Sequence, residues 1–391
     1  MNLPKPMTLP GGWRVQFEWN KVLPGPQNHE IEVCVFGPGY GESILVHLGD
    51  QRWIVVDSCV ESQTGQPAAL SYLRTIGVDP ARSVEFIFAT HWHDDHIRGL
   101  ASTLAICTQA HVCFSTAFAK LEFIAFLSRF ESRCTIEGGS GVRELWNTVK
   151  EIERRGATGK FVGPDRRILT IPQGVLSHGF PCEVWTLSPS DTENARFLDR
   201  IAALEPRVGE TKRRAPSVSR NDVAAVVMVD WERTALLLCS DLEVTTDSES
   251  GWAAILASTG KPGRKASFFK IPHHGSANGH HDGVWSNMLE KDPIAVLTPW
   301  NRGNGLPQKS DVDRIVSITS KGYSTSDFLG RKPQRRSSEV ERTLKEARIT
   351  VVPRELQMGM VRARFLQENW VVETFNRAGP LNAHGPRAAA V

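Results

Sequence analysis

Five side chains able to ligate a metal fall within six residues of this chain: His91, His93, Asp94, Asp95 and His96. A short apolar run, Phe86-Ile87-Phe88-Ala89, leads into them and reads as a buried strand. Three imidazoles and two carboxylates delivered by such a strand are costly to bury unless a cation neutralises and orients them. Residues two apart in an extended segment project to the same face, so His91 and His93 can grip one metal ion. Asp95 and His96 follow as the chain turns, which lets them aim at a second metal beside the first. The competing possibility is a histidine-rich surface loop, and the spacing directly after a buried strand argues against it.

The remainder of the chain is long enough and apolar enough to build a fold around that stretch. It has 391 residues, 40% hydrophobic and 23% charged, the balance of an ordinary globular protein. A net charge of +3 is too mild to argue for nucleic acid by itself. The seven cysteines (Cys34, Cys59, Cys107, Cys113, Cys134, Cys182 and Cys239) include no CxxC pair, and most sit in apolar runs. They read as buried free thiols of a reducing compartment. The N-terminus lacks the apolar core of a secretion signal and no apolar run reaches transmembrane length, so the expectation is a soluble cytoplasmic protein without a membrane partner.

Residues 1–29 are rich in Pro and Gly and read as an irregular lead-in. Strands are expected at 31–36, 43–48 and 52–56, then a helix over 67–77 with Pro at its start and Gly at its end. After the histidine cluster the spacing predicts a short helix at 100–108, a strand at 111–114 and amphipathic helices over 117–133 and 142–155. These make a helical insertion spanning 115–160. Strands at 167–171 and 183–187 precede a polar stretch, 189–221, read as a flexible insertion or active-site loop. Strands over 223–231 and 234–239, a strand entering Lys270, one ending near Trp300, a helix over 311–320 and a closing hairpin at 360–375 complete the domain at residue 376. A basic loop covers 330–342, and the tail, 377–391, is expected to be flexible.

Three single positions stand out beyond the cluster. Asp57 ends a buried strand and is either a cap or a partner for a nearby site. Asp241 follows the apolar Ala-Leu-Leu-Leu-Cys-Ser and is either a helix N-cap or a carboxylate bridging two metals. His273 and His274 again terminate a strand, with Gly275 permitting a sharp turn beside them. His280 and His281 lie close behind and read more simply as solvated loop histidines.

His91-x-His93-x-Asp95-His96 after a strand, then Asp241, then His273, resembles the metallo-β-lactamase fold. Gly39-Tyr40-Gly41-Glu42-Ser43 and Val55-Val56-Asp57-Ser58 are similar to that fold's opening elements. In detail the sequence looks most like the ComEC-type branch, the nuclease domain of a DNA-uptake protein and its stand-alone relatives. Leu187-Ser188-Pro189, Arg220-Asn221-Asp222, Leu238–Glu243 and Lys270-Ile271-Pro272-His273-His274-Gly275-Ser276 carry that likeness, which spans roughly residues 30–330. The sequence departs from the pattern at Glu42 and Ser240, where the family usually has Asp and Gly, and at Asn221-Asp222-Val223, where it has Asn-Asn-Ser.

The resemblance implies an α/β fold, an αββα sandwich of two mixed sheets flanked by helices, spanning residues 30–376. It implies two divalent ions, Zn²⁺ or Mn²⁺, held by His91, His93, Asp95, His96, Asp241 and His273, with Asp95 also orienting the nucleophile. His274 is expected to face the cleft, either protonating a leaving group or holding a phosphate, or to be structural. A third histidine beside His91 and His93, usual in the superfamily, is missing: His178 lies before the strand after which it belongs. The first metal is thus expected to bind more weakly, completed by water or Asn221, or to be a harder ion.

The expected activity is a metal-dependent phosphodiesterase or nuclease, in which a metal-bound hydroxide in a dinuclear site cleaves DNA or a related nucleotide polymer. Lys212, Arg213, Arg214, Arg331, Lys332, Arg335 and Arg336 lie in loops that can rim the cleft and contact phosphates, the alternative being plain solvated charge. A hydrolase of a small ester, lactone or amide on the same metals is the alternative activity. A degenerate metal-binding regulatory module is a third reading, and a homo-oligomer or partner protein is left open.

Overall fold

The computed structural model describes residues 23–37, 41–61, 64–119, 140–156, 159–203, 221–301, 305–326, 337–347 and 358–384. The start of the lead-in, Gly39 and Tyr40, most of the helix expected over 117–133, Cys134, and the basic residues Lys212, Arg213, Arg214, Arg331, Lys332, Arg335 and Arg336 lie outside the described residues.

β1 (Ile31–Gly37), β2 (Ser43–Gly49), β3 (Arg52–Val56), β4 (Val84–Ala89), β5 (His111–Ser115) and β6 (Lys160–Val162) form most of one sheet. β7 (Arg166–Ile171), β8 (Cys182–Thr186), β9 (Val227–Trp231), β10 (Thr234–Leu238), β11 (Ala266–Lys270), β12 (Leu289–Leu297) and β13 (Gly322–Ser324) form most of the other. The hairpin β14 (Gly359–Leu366) and β15 (Asn369–Phe375) returns to the first sheet, and the short β16 (Gly379–Pro380) to the second. The resulting eight-stranded sheets run β15-β14-β1-β2-β3-β4-β5-β6 and β16-β13-β12-β11-β10-β9-β8-β7.

β1 is buried along its whole length because both of its faces are covered. Val33 and Val35 point into the core between the sheets, where Val227, Val229, Leu236, Leu238 and Phe268 of the second sheet meet them. Cys34 and Phe36 point the other way, against Leu70, Leu73, Leu100 and Leu104 of the covering helices. The second sheet is backed in the same way by Trp252, Ile255, Val312 and Ile315. This is an αββα sandwich, and burial on both faces is why so many strands read as unbroken apolar runs. The six described cysteines are free and buried, as their apolar surroundings imply. No helix among the described residues is long and apolar enough to cross a membrane.

The strand directions decide where a site can form. In the first sheet β1, β2 and β3 pair antiparallel, then β3, β4, β5 and β6 pair parallel. In the second sheet β8, β9 and β10 pair antiparallel, then β10, β11, β12 and β13 pair parallel. At each changeover two neighbouring strands, β3 with β4 and β10 with β11, end on the same edge. Open sheets present their strand-end residues to a common crevice at such points.

Four stretches differ from the sequence expectation. Within 189–221, expected as a polar loop, residues Asp191–Ala203 form a helix that buries Phe197 and Ile201 against the first core. Its start carries a capping box that polarity had masked: Ser190 N–H donates to Glu193 Oε2 (2.7 Å), and Glu193 N–H donates to Ser190 Oγ (3.1 Å). The end of the 330–342 basic loop enters a helix, Ser338–Glu346. The strand expected over 223–231 begins only at Val227, after a 3₁₀ turn at Asn221–Val223. The tail beyond Arg377 is not wholly free, since β16 pairs with β13 and Leu381 is buried in the second outer core.

His47 on β2 supplies a pH dependence separate from the site. Its Nδ1–H donates to the Glu30 carbonyl (2.9 Å), and its Nε2 accepts the Gln51 N–H (3.0 Å), which together fix a neutral ring. Burial lowers its pKa from 6.5 to about 4. The unfolded chain therefore takes up a proton that the native ring refuses. The resulting stability is fully present above about pH 6.5 and is lost as pH falls towards about 4, amounting to roughly 3 kcal/mol. Urea unfolding across that window should show His47→Gln with a flatter stability profile than the parent; identical slopes would refute the assignment.

Candidate metal centre

The parallel pair β3–β4 sets Asp57 beside the chain leaving β4, where Asp57 N–H donates to the Phe88 carbonyl (2.8 Å). Thr90 and His91 follow, still extended, and the one-turn helix Asp94–Ile97 then swings Asp95 and His96 inward. From the second sheet β10 delivers Ser240 and Asp241, while β11 delivers Pro272, His273 and His274. The two edges are tied together at this end. Thr90 O accepts the Ala225 N–H (3.1 Å), and the Thr90 and Ser240 hydroxyls lie 2.7 Å apart.

Three overlapping ligand groups result: His91, His93 and Asp241; Asp95, His96, Asp241 and His274; and Asp57, His91 and His96. Asp241 belongs to the first two. Its Oδ2 lies 3.9 Å from His91 Nε2 and 3.5 Å from His274 Nε2, and its Oδ1 lies 3.3 Å from His96 Nε2. His91 Nε2 is 3.0 Å from His93 Nδ1, and His274 Nε2 is 3.2 Å from Asp95 Oδ2. Asp241 is followed by a turn and the next helix opens only at Gly251 after Ser250, so the cap reading of Asp241 does not hold.

The far nitrogens of three rings are engaged by protein, which turns each Nε2 towards the cluster. His96 Nδ1 meets Asp57 Oδ2 at 2.7 Å, and His274 Nδ1–H donates to the Thr298 carbonyl at 2.8 Å. His91 Nδ1 lies 3.1 Å from both the Ser240 and the Thr90 hydroxyl. This is the orienting shell that metal-ligating imidazoles need. Asp57 also accepts the Thr90 N–H (2.9 Å) and its hydroxyl, which settles its open role in favour of a partner to the site.

The donor set fits divalent cations. Three carboxylates, Asp57, Asp95 and Asp241, are buried together with the rings of His91, His96 and His274. His96 Nε2 and Asp241 Oδ1 are buried without a hydrogen-bond partner, a costly state that a cation between them relieves. Burial, reinforced by His96 and His93, pushes the His91 pKa well down and keeps that ring a neutral donor. Burial works against ionised Asp241, but His274, His96 and His91 outweigh it and hold its carboxyl well below the usual range. Burial likewise opposes protonated His96, yet Asp241, Asp95 and Asp57 together raise it, so a cation binding there displaces a proton.

Residues 36–114, from the end of β1 into β5 and including His91–His96, match the model of the metallo-beta-lactamase superfamily. That match covers about a fifth of the chain and is a likeness to the superfamily over this segment. Similar solved structures include the metallo-beta-lactamase fold protein YhfI from Bacillus subtilis, with 13% identity over 77% of this chain and 98% of that one (TM-score 0.37). Human tRNase Z, short form, shows 10% identity over 68% and 92% of the two chains (TM-score 0.35). The metallo-beta-lactamase SMB-1 shows 15% identity over 59% and 70% (TM-score 0.29). Likeness at this level concerns fold and carries nothing about substrate. Comparison with curated protein sequences returned no match.

Within this αββα sandwich the structure brings His91, His93, Asp95, His96 and Asp241 together, and of the two adjacent histidines it adds His274 to them. His274, expected in the cleft, is the one that faces Asp95 and Asp241. His273, expected as a ligand, is part-exposed, with Nδ1 2.8 Å from Asn278 Oδ1 and 3.5 Å from Glu243 Oε1. The cause is backbone: His273, His274 and Gly275 have φ of 45°, 55° and 83°, a left-handed run that reverses the direction of the side chains. His178 lies against the Leu48 carbonyl (3.0 Å), apart from the cluster, and His281 caps the helix Asp282–Asn287. Asn221 donates to Glu243 Oε1 (2.6 Å).

Sequence reasoning missed Ser240 and Thr298 as orienting groups. It also registered Glu42 and Lys270 only as parts of motifs. The signal for Lys270 was a charged residue set in an otherwise apolar strand end, Ser-Phe-Phe-Lys270-Ile-Pro.

Proposed function

We propose that this chain is a two-metal hydrolase of phosphodiester bonds, with a nucleic acid, DNA before RNA, as its substrate. The observation that carries the metal reading is Asp241 shared between a three-ligand and a four-ligand group. Zn²⁺ or Mn²⁺ suits these nitrogen and oxygen donors, and cations bound there would lower the pKa of coordinated water and polarise a substrate oxygen. The four-ligand group should bind the tighter cation, and the group of His91 and His93 the weaker one.

The chain's own groups do the rest. Asp95, held near His274, accepts a hydrogen bond from the attacking water and orients it. His273, released from ligation and steadied by Asn278 and Glu243, offers its ring to a phosphate oxygen beside the cluster. Support for a polymeric phosphate substrate comes from the ComEC-type motifs and the basic stretches at 212–214 and 331–336.

The test is purified protein loaded with Mn²⁺ or Zn²⁺ and offered single- and double-stranded DNA, RNA and cyclic nucleotides. Cleavage is expected, and Asp95→Ala should abolish it. If all four substrates remain intact while small esters, lactones or amides are hydrolysed, the phosphodiesterase reading is wrong and the alternative hydrolase stands.

A further inference from the structure

A buried ion pair lies behind the four-ligand group and touches no candidate ligand side chain directly. Glu42 precedes β2 in the first sheet, Lys270 ends β11 in the second, and neither is exposed to solvent. Lys270 Nζ lies 2.6 Å from Glu42 Oε2 and also donates to the Ile271 carbonyl (2.9 Å). The same Glu42 oxygen accepts the Thr298 hydroxyl (2.5 Å). Thr298 in turn offers its carbonyl to His274 Nδ1–H (2.8 Å). On the opposite side, Glu42 N–H donates to the carbonyl of Asp95 (2.8 Å). One residue thus fastens the backbone of Asp95 and, through Thr298, the ring of His274. Those two side chains meet at 3.2 Å across the sheet boundary.

Stability does not explain such a pair, because burying two charges costs about as much as their attraction returns, and apolar pairs of like volume often do as well. Its second carboxylate oxygen, Glu42 Oε1, is buried with no hydrogen-bond partner, so the pair is not even fully satisfied. What it provides is a fixed separation between ligands contributed by two different sheets. We propose that Glu42 and Lys270 are positioning residues that set cation affinity at the Asp95, His96, Asp241 and His274 group while leaving the His91 and His93 group largely unaffected. The proposal rests on the two-metal reading above.

The experiment titrates metal-free protein with Zn²⁺ against a chromophoric chelator and with Co²⁺ by its visible absorption, alongside thermal unfolding of the metal-free protein. His274→Gln identifies which binding class is the four-ligand site. Glu42→Gln and Lys270→Met should each weaken that class about 10–100-fold, the range for groups that orient metal ligands, and shift the other class far less. The double variant Glu42→Leu with Lys270→Met should recover the parental unfolding midpoint without recovering affinity. Affinity within twofold of the parent in the single variants, or affinity that returns together with stability in the double variant, overturns the proposal. If a single variant does not fold, the double variant decides by the same criterion. A parent that binds fewer than two cations removes the two-metal reading itself, and that shows before any variant is compared.

Discussion

Replacing Asp241 with Ala should empty both metal positions at once. Its two oxygens face His91, His96 and His274 at 3.9, 3.3 and 3.5 Å, and it is the carboxylate common to the His91–His93 group and the four-ligand group. Metal content after gentle purification should fall from two cations per chain towards none. Hydrolysis should fall on the order of 10³-fold, which corresponds to about 4 kcal/mol of lost transition-state stabilisation. Asp241→Asn, which keeps the size and removes the charge, should behave nearly as badly, because the histidines around it would lose the anion that balances a bound cation. A variant retaining both cations and parental activity would show that Asp241 is a structural carboxylate and that the shared-ligand geometry is misread.

The second large effect separates two adjacent histidines. His274→Gln should cost one cation per chain and roughly 10²-fold or more in activity, since His274 stands at 3.2 Å from Asp95 with its other nitrogen committed to the Thr298 carbonyl. His273→Gln should keep both cations, because His273 lies outside every ligand group and is held instead by Asn278 and Glu243. Metal analysis of the two proteins side by side is enough. Loss of a cation from His273→Gln with full occupancy in His274→Gln would restore the assignment expected from sequence.

These contrasts mark where local pattern stops being informative. The buried strand around Phe86–Ala89 and the histidine cluster after it were readable because strand burial and two-residue projection act over a few positions. The choice between His273 and His274 was not, since it turns on three consecutive residues with positive φ, a backbone conformation that no local sequence pattern announces. The helix Asp191–Ala203 was missed for a different reason. Its composition is polar and only Phe197 and Ile201 of its length are buried large apolar residues, so the Ser190–Glu193 capping box was the better evidence.

The sequence by itself determined the buried strands and the clustering of His91, His93, Asp95 and His96 at a strand end, because both are properties of neighbouring residues, while the αββα sandwich came from the family resemblance. Tertiary structure alone decided that Asp241 is shared, that Asp57 orients His96, that His274 displaces His273, and that Glu42 is paired with Lys270. Each of these joins residues separated by 33 to about 230 positions, except the histidine exchange, which depends on a turn with three successive positive φ values. Such relations arise when β3 and β4 of one sheet end opposite β10 and β11 of the other. That alignment is set by how the two sheets bury their common core.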